Sequence, residues 1–260
     1  MLKLLAYLLK ENVVTIKEIP PTLPAETRSL PKLTEKECAP QCETCRDLCP
    51  TNAISIYSDE GIKRNVDIDL SACINCSLCI SQCPTGTIVR NDTVKTARSQ
   101  LSELILSTAT SSDLVTSIKV SETDNIFGRS IACRVVSTGC SACDLEISAC
   151  TNPIFDMERF GISIVASPRF ADVLLVTGPV PRSMHEALKS CYMAMSEPRK
   201  VVAVGTCACS GGVHRDGYTE ANGVAAVLPV DLFIPGCPPH PWSIVEGLLR
   251  LMHGKSTDSR

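Results

Sequence analysis

Two runs of four cysteines, each closed by Cys-Pro-Thr, constrain this chain more than any other feature. Cys38, Cys42, Cys45 and Cys49 follow the spacing C-x3-C-x2-C-x3-C, and Cys73, Cys76, Cys79 and Cys83 follow C-x2-C-x2-C-x3-C. The two form an internal repeat with a period of about 35 residues. Eight further cysteines bring the total to 16 in 260 residues. A secreted disulfide scaffold is a poor fit, because such scaffolds are short and follow a signal peptide. Here the opening Met1–Leu9 is interrupted by Lys3, closed by Lys10 and lacks a small-residue cleavage site. It is also far short of the ~18 apolar residues that span a bilayer. With 44% apolar and 20% charged residues the chain is globular, long enough for one large or two small domains. A net charge of −3 with no basic stripe argues against a nucleic-acid partner.

The Cys73 run, with Pro84 behind it, matches the bacterial ferredoxin pattern C-x2-C-x2-C-x3-C-P residue for residue. Two-residue gaps let a tight loop wrap three thiolates around one face of a cubane cluster. The fourth thiolate, on a short helical turn, points to the neighbouring cluster. Crossed wiring is therefore expected. Cys38, Cys42 and Cys45 join Cys83 on one [4Fe–4S] cluster, and Cys73, Cys76 and Cys79 join Cys49 on the other. Structural zinc also uses C-x2-C pairs, but it takes four ligands per ion and has no use for the Cys-Pro endings. Cys38 is the least secure of the eight, because three residues separate it from Cys42 and the loop must bulge. This half resembles the two-cluster ferredoxin domain. A short amphipathic helix at 1–10 and a proline-bearing approach, taken together as residues 1–30, also resemble the start of the small ferredoxin-type subunits of formate hydrogenlyase and complex I.

The texture changes beyond the ferredoxin-like stretch 31–95. Residues 96–129 read as a connector, helical over Thr96–Ile105 and then small and polar. From about residue 130 short apolar strands (IACRVVS, ISIVAS, ADVLLVTG, KVVAVGT, DLFIPG) alternate with helical stretches such as Pro181–Met195 and Pro241–Met252. That alternation predicts an α/β domain with a mostly parallel sheet over 130–260. The loops GCSAC, GTCACSGG and PGCPPHP stand at strand ends. Ligands gather at the carboxyl ends of strands in open α/β sheets, so three cysteine loops can converge on one site.

Residues from about 130 to 252 resemble the small subunit of membrane-bound, energy-converting [NiFe] hydrogenases and its relative, the 20-kDa subunit of complex I. The matching segments are GCSACDLEI, FDMERFGISIVASPRFADVLLVTGPV, VGTCACSGG and PVDLFIPGCPPHP. The resemblance implies a flavodoxin-like fold and one further [4Fe–4S] cluster, the proximal one, on Cys140, Cys143, Cys207 and Cys237. The C-x2-C spacing at 140 and 143 is the hydrogenase form, whereas the complex I subunit has two adjacent cysteines there. Cys133, Cys150 and Cys191 fall within regular apolar structure and are expected to be buried. Cys209 is ambiguous, although the motif assigns the ligand role to Cys207.

On this reading the chain is an electron-transfer subunit of an oxidoreductase complex, with three [4Fe–4S] clusters on twelve cysteines and no catalysis of its own. The implied partners are a Ni–Fe large subunit, integral membrane subunits and a low-potential donor such as ferredoxin or a formate or CO dehydrogenase. The implied location is the cytoplasmic side of the membrane, peripheral through partner subunits. Three clusters at about −2 each bring the charge to roughly −9, so anionic lipid is not the anchor. Residues 1–10 are expected to dock on a partner. Two other classes stay open, a complex I-like module passing electrons to a quinone or another acceptor, and a free-standing ferredoxin or redox sensor. Asp144 and Glu146 are either proton relays or helix N-terminal acids. Arg159 and Arg169 read as packing or subunit contacts, and His185, His214, His240 and His253 show no ligand spacing. Asn91-Asp-Thr93 is a glycosylation sequon that a cytoplasmic iron–sulfur protein would not use. The chain carries no Walker loop, nucleophile elbow or dinucleotide fingerprint.

Overall fold

The computed structural model describes residues 18–59, 63–109 and 127–253. The expected docking helix at 1–10 and the polar centre of the connector lie outside them.

The cysteine-rich half is built twice over from a cysteine loop, a single helical turn and a strand, as the repeat requires. In chain order it comprises β1 (Pro31–Leu33), α1 (Thr44–Asp47), β2 (Ile54–Asp59), β3 (Lys63–Asp69), α2 (Leu78–Ser81), β4 (Ile88–Arg90) and β5 (Ile105–Ser107). β1 pairs with β4, and β2, β3 and β5 form a three-stranded sheet, all antiparallel. Each Cys-Pro-Thr ends a helical turn and feeds β2 or β4. Proline there stops the turn, since it cannot continue the helical hydrogen bonds.

The connector differs from expectation. Residues 96–105 do not form one helix. Leu101–Leu104 is a single 3-10 turn, and β5 follows at once, its Leu106 opposite Ile68 of β3. Leu104 and Leu106 are buried, so this stretch completes the ferredoxin-like core. Arg98 exchanges both backbone hydrogen bonds with Phe233 of the other half. A boundary at residue 95 therefore cuts through packed structure, and 101–107 belongs with the ferredoxin-like sheet.

The second half comprises β6 (Ile131–Ser137), α3 (Ala142–Ala149), β7 (Ile162–Ile164), β8 (Val173–Thr177), α4 (His185–Met193), β9 (Lys200–Val204), α5 (Thr206–Ser210), β10 (Leu232–Ile234) and α6 (Pro241–His253). The five strands are parallel in the order β10-β9-β8-β6-β7, which is the doubly wound 2-1-3-4-5 arrangement of flavodoxin-like folds. β8 is buried at every residue, as an apolar strand covered on both faces must be. Its alternation divides two cores. Val173 and Leu175 face α3 and α6 through Ile147, Ile244, Val245 and Leu248. Leu174 and Val176 face α4 and join a single core that runs on through Ile68, Leu70, Leu104 and Leu106. The two halves thus share one hydrophobic core.

Candidate iron–sulfur sites

Two hollows lie in the cysteine-rich half, and each takes cysteines from both repeats. Cys38, Cys42, Cys45 and Cys83 border one of about 280 Å³. Cys49, Cys73, Cys76 and Cys79 border another of about 420 Å³. The crossing comes from the fold. In each unit the fourth cysteine follows the helical turn and leaves its own loop for the neighbouring hollow. The three-residue gap after Cys38 is absorbed by a turn in which Cys42 N donates to Ala39 O at 3.2 Å and Gln41 takes a left-handed φ of 59°. Cys38 still reaches its hollow. In the second loop Asn75 (φ 54°) and Ser77 (φ 63°) supply the same curvature; short polar side chains tolerate that region best.

Backbone amides point at the thiols. Ala53 N lies 3.3 Å from Cys49 Sγ. Burial raises the Cys83 thiol, but amide donors from residues 85, 87 and 88 and the Thr85 hydroxyl outweigh it and leave the thiol below its ordinary value. Other thiols of the two hollows are pushed up. Burial and the neighbouring thiols take Cys45 and Cys79 to about 11. Burial takes Cys73 to about 12, against an amide bond from Asn75.

The third group stands at the carboxyl ends of the parallel strands. Cys140 and Cys143 come from the loop after β6 and the first turn of α3, Cys207 from α5 after β9, and Cys237 from the loop after β10. Thr206 N donates to Gly236 O at 2.9 Å and Cys143 Sγ lies against Gly205, so the three loops meet; burial raises the Cys143 thiol, and next come Cys140, Cys207 and Cys237. Burial, and then Cys237 and Cys140, raise Cys207 to about 11. Gly205 (φ +92°) is the reason they can meet. A Cβ there would stand 2.4 Å from Cys143 Sγ. Gly205→Ala is accordingly expected to expel Cys143 and cost the third site alone, lowering iron by about one third in a metal analysis of the reconstituted chain.

The residues present fit four-iron clusters. A zinc ion at about 2.3 Å from sulfur would draw its thiolates to one point. Among the described residues, no three His, Cys, Asp or Glu side chains are gathered for a single ion; the eight thiols of the first half instead border hollows.

The remaining cysteines lie elsewhere. Cys133 and Cys150 are fully buried in the α3–α6 core, and Cys150 Sγ donates to Glu146 O at 3.2 Å. Cys191 packs at the edge of the other core beside Arg134. Cys209 is fully buried, with its Sγ turned to Ala203 O at 3.7 Å on β9. Asp144 accepts hydrogen bonds from Ser137 Oγ and Thr177 Oγ1, tying the start of α3 to the ends of β6 and β8. Burial raises the Glu146 carboxyl. Arg159 stacks 4.5 Å over the Phe160 ring, and Arg169 is exposed. Burial lowers His240, whose Nδ1 accepts from Trp242 N at 3.2 Å. The Asn91 of the sequon is 3% exposed and its Oδ1 accepts from Thr93 N, so it offers no glycosylation site.

Sequence reasoning missed the contacts between the second and third thiol groups. Thr206 Oγ1 donates to Cys73 O at 2.7 Å, Ser210 Oγ donates to Ser71 O at 2.7 Å, and Arg215 pairs with Asp69 at 3.5 Å. Nothing in the spacing announces them. They set the second group beside the third, and the packing of the helical turns α1 and α2 against each other sets the first beside the second. The second group thus adjoins both of the others.

Cysteine hollows in a ferredoxin-like half joined to a parallel sheet define an iron–sulfur electron-transfer subunit of an oxidoreductase complex. Residues 37–87 match the 4Fe-4S dicluster domain, and residues 140–251 match the family described as NADH ubiquinone oxidoreductase, 20 Kd subunit. The chain belongs to that family. It is 44% identical over 116 residues to the probable membrane-bound hydrogenase subunit mbhJ of Pyrococcus furiosus, covering 44% of this chain and 69% of that one. It is 40% identical over 133 residues to formate hydrogenlyase subunit 7 of Escherichia coli, covering 51% of this chain and about half (52%) of the relative. It is 46% identical over 113 residues to an NADH-quinone oxidoreductase subunit of Citrifermentans bemidjiense, covering 44% of this chain and 66% of that one. No helix among the described residues is long and apolar enough to cross a membrane.

Proposed function

We propose that this chain is the electron-transfer subunit of a membrane-associated [NiFe] hydrogenase and that it holds three [4Fe–4S] clusters. When bound, each cluster takes up and passes on one electron at a time. Cys38, Cys42, Cys45 and Cys83 would hold the first, Cys49, Cys73, Cys76 and Cys79 the second, and Cys140, Cys143, Cys207 and Cys237 the third. The contact of the second group with both others supports a path along the chain, with a low-potential donor at the ferredoxin-like end. The third group adjoins the surface where Cys140 is exposed, and a large subunit carrying the Ni–Fe site would cover it. Membrane subunits would hold the assembly to the cytoplasmic side of the membrane.

Hydrogenase and quinone-reductase relatives match at similar identity, so overall likeness does not choose between them. The observation that carries the reading is the two-residue gap of Cys140-Ser-Ala-Cys143. It puts one thiol in the loop and the other in the first turn of α3, both beside Cys207 and Cys237. Hydrogen evolution by the purified complex, with nickel in it, is the expected result. A nickel-free complex that reduces quinone would replace this reading with the complex I-like one.

The chain reconstituted anaerobically should bind about 12 iron and about 12 sulfide, four of each per site. Saturation near 8 would remove the third site.

A further inference from the structure

The second and third thiol groups meet at one buried hydroxyl. Thr206 is 1% exposed and stands between Gly205 and Cys207 at the start of α5. Its Oγ1 donates to the carbonyl oxygen of Cys73 at 2.7 Å and accepts from Gly236 N at 3.4 Å. Cys73 belongs to the second group. Cys207 directly follows Thr206, and Cys237 directly follows Gly236. One oxygen therefore touches the backbone of a thiol residue on one side and lies one residue from two thiols on the other. Ser210 and Arg215 cross the same seam, but they reach Ser71 and Asp69, which carry no thiol.

We propose that Thr206 is the hydrogen-bonded bridge that couples the second site electronically to the third. The inference rests on the reading of both thiol groups as cluster ligands. The route runs from Cys73 Sγ through its own Cα and carbonyl, across one hydrogen bond to Thr206 Oγ1, and along the Thr206 backbone to Cys207. Without the hydroxyl the same crossing is a jump through van der Waals space, where orbital overlap is poorer. One electron leaves the second site and one arrives at the third, with no bond made or broken. Both partners of the hydrogen bond are neutral and stay so, so no proton moves. The electron comes from a low-potential reductant. Thr206 is a positioning residue, since it touches a ligand's carbonyl and no sulfur.

The test uses the full chain, reconstituted anaerobically and assayed for iron. Thr206→Val keeps the shape and removes the hydroxyl. Thr206→Ser keeps the hydroxyl. Ser210→Ala removes a seam bond of equal length that reaches no thiol residue. The first and second sites are reduced by a photochemical pulse, and arrival at the third is followed by freeze-quench EPR. All three variants should keep the wild-type iron content and midpoint potentials, because no hydrogen bond to sulfur is lost. Thr206→Val should slow passage several-fold, while Thr206→Ser and Ser210→Ala should run at the wild-type rate. A wild-type rate in Thr206→Val overturns the proposal. So does an equal slowing in Ser210→Ala, which would make docking of the seam the controlling feature. Should Thr206→Val lose iron, Thr206→Ala is read in its place, and loss in both overturns the proposal by making Thr206 a builder of the site. If the wild-type chain itself lacks the third cluster, the ligand reading fails instead.

Discussion

Cys143→Ala is expected to remove about four of about twelve iron atoms and to stop electron delivery, while Cys209→Ala keeps the full complement. The two thiols are both buried and close in space, so exposure does not separate them. Direction does. Cys143 Sγ lies against Gly205, where any side chain would displace it, and after burial it feels Cys140, Cys207 and Cys237 first and then Asp144. Cys209 turns its Sγ back to Ala203 O in β9, inside the core beneath α5. Alanine at 209 deletes one buried sulfur and costs packing energy of about 1 kcal/mol. Alanine at 140, 207 or 237 should behave as at 143. Iron content and the EPR signal of the third cluster decide the matter. Loss in Cys209→Ala with retention in Cys207→Ala would exchange the two assignments.

Glu246→Leu should destabilise the chain by about 3–5 kcal/mol, the usual cost of stripping one partner from a buried ion pair. Glu246 is 1% exposed and accepts from Arg250 one turn further along α6, itself 4% exposed. Arg98, also 4% exposed, comes from the segment joining the two halves. Burial, and then the Arg250 charge, lower the Arg98 guanidinium to about 10. Arg250 thus pairs with this carboxylate out of water, and the charge of Arg98 acts on it as well. Burial raises that carboxyl, and Arg250, Lys95 and Arg98 pull it back. Replacing Glu246 leaves both cations without it. Replacing Glu246 and Arg250 together by Leu and Met should recover much of the loss, because a whole pair exchanged for apolar volume is often near neutral. Urea midpoints of wild type, single and double variants measure this. A single variant as stable as the wild type would mean the arginines are solvated.

The parts that could be read from the sequence are those written in local spacing. The two cysteine runs fix their loops because four thiols a few residues apart have few ways to face one centre. The apolar strands after residue 130 announce a parallel sheet because both faces are covered, and the cysteine loops fall where such sheets place ligands. What stayed hidden depends on residues distant in sequence. Residues 96–105 carry polar and apolar side chains in a helix-like pattern, yet β5 forms because Leu106 finds Ile68 across a sheet edge. Tertiary pairing overrides a weak propensity there. Thr206, Ser210 and Arg215 look like ordinary loop residues until the first half is packed against them. Asp144 reads as an acid at a helix start, and only the ends of β6 and β8 reveal it as a clasp.

The common core of the two halves also bears on dilution. Where a ferredoxin and its acceptor are separate polypeptides, each passage waits on encounter, and its rate follows their concentrations. Here Leu104 and Leu106 lie in the same apolar mass as Leu174 and Val176, so the partners are never apart, as in any tethered pair. Passage between the second and third sites should be first order and indifferent to how much protein is in the tube. Only the steps that bring electrons in and carry them out would still depend on collision.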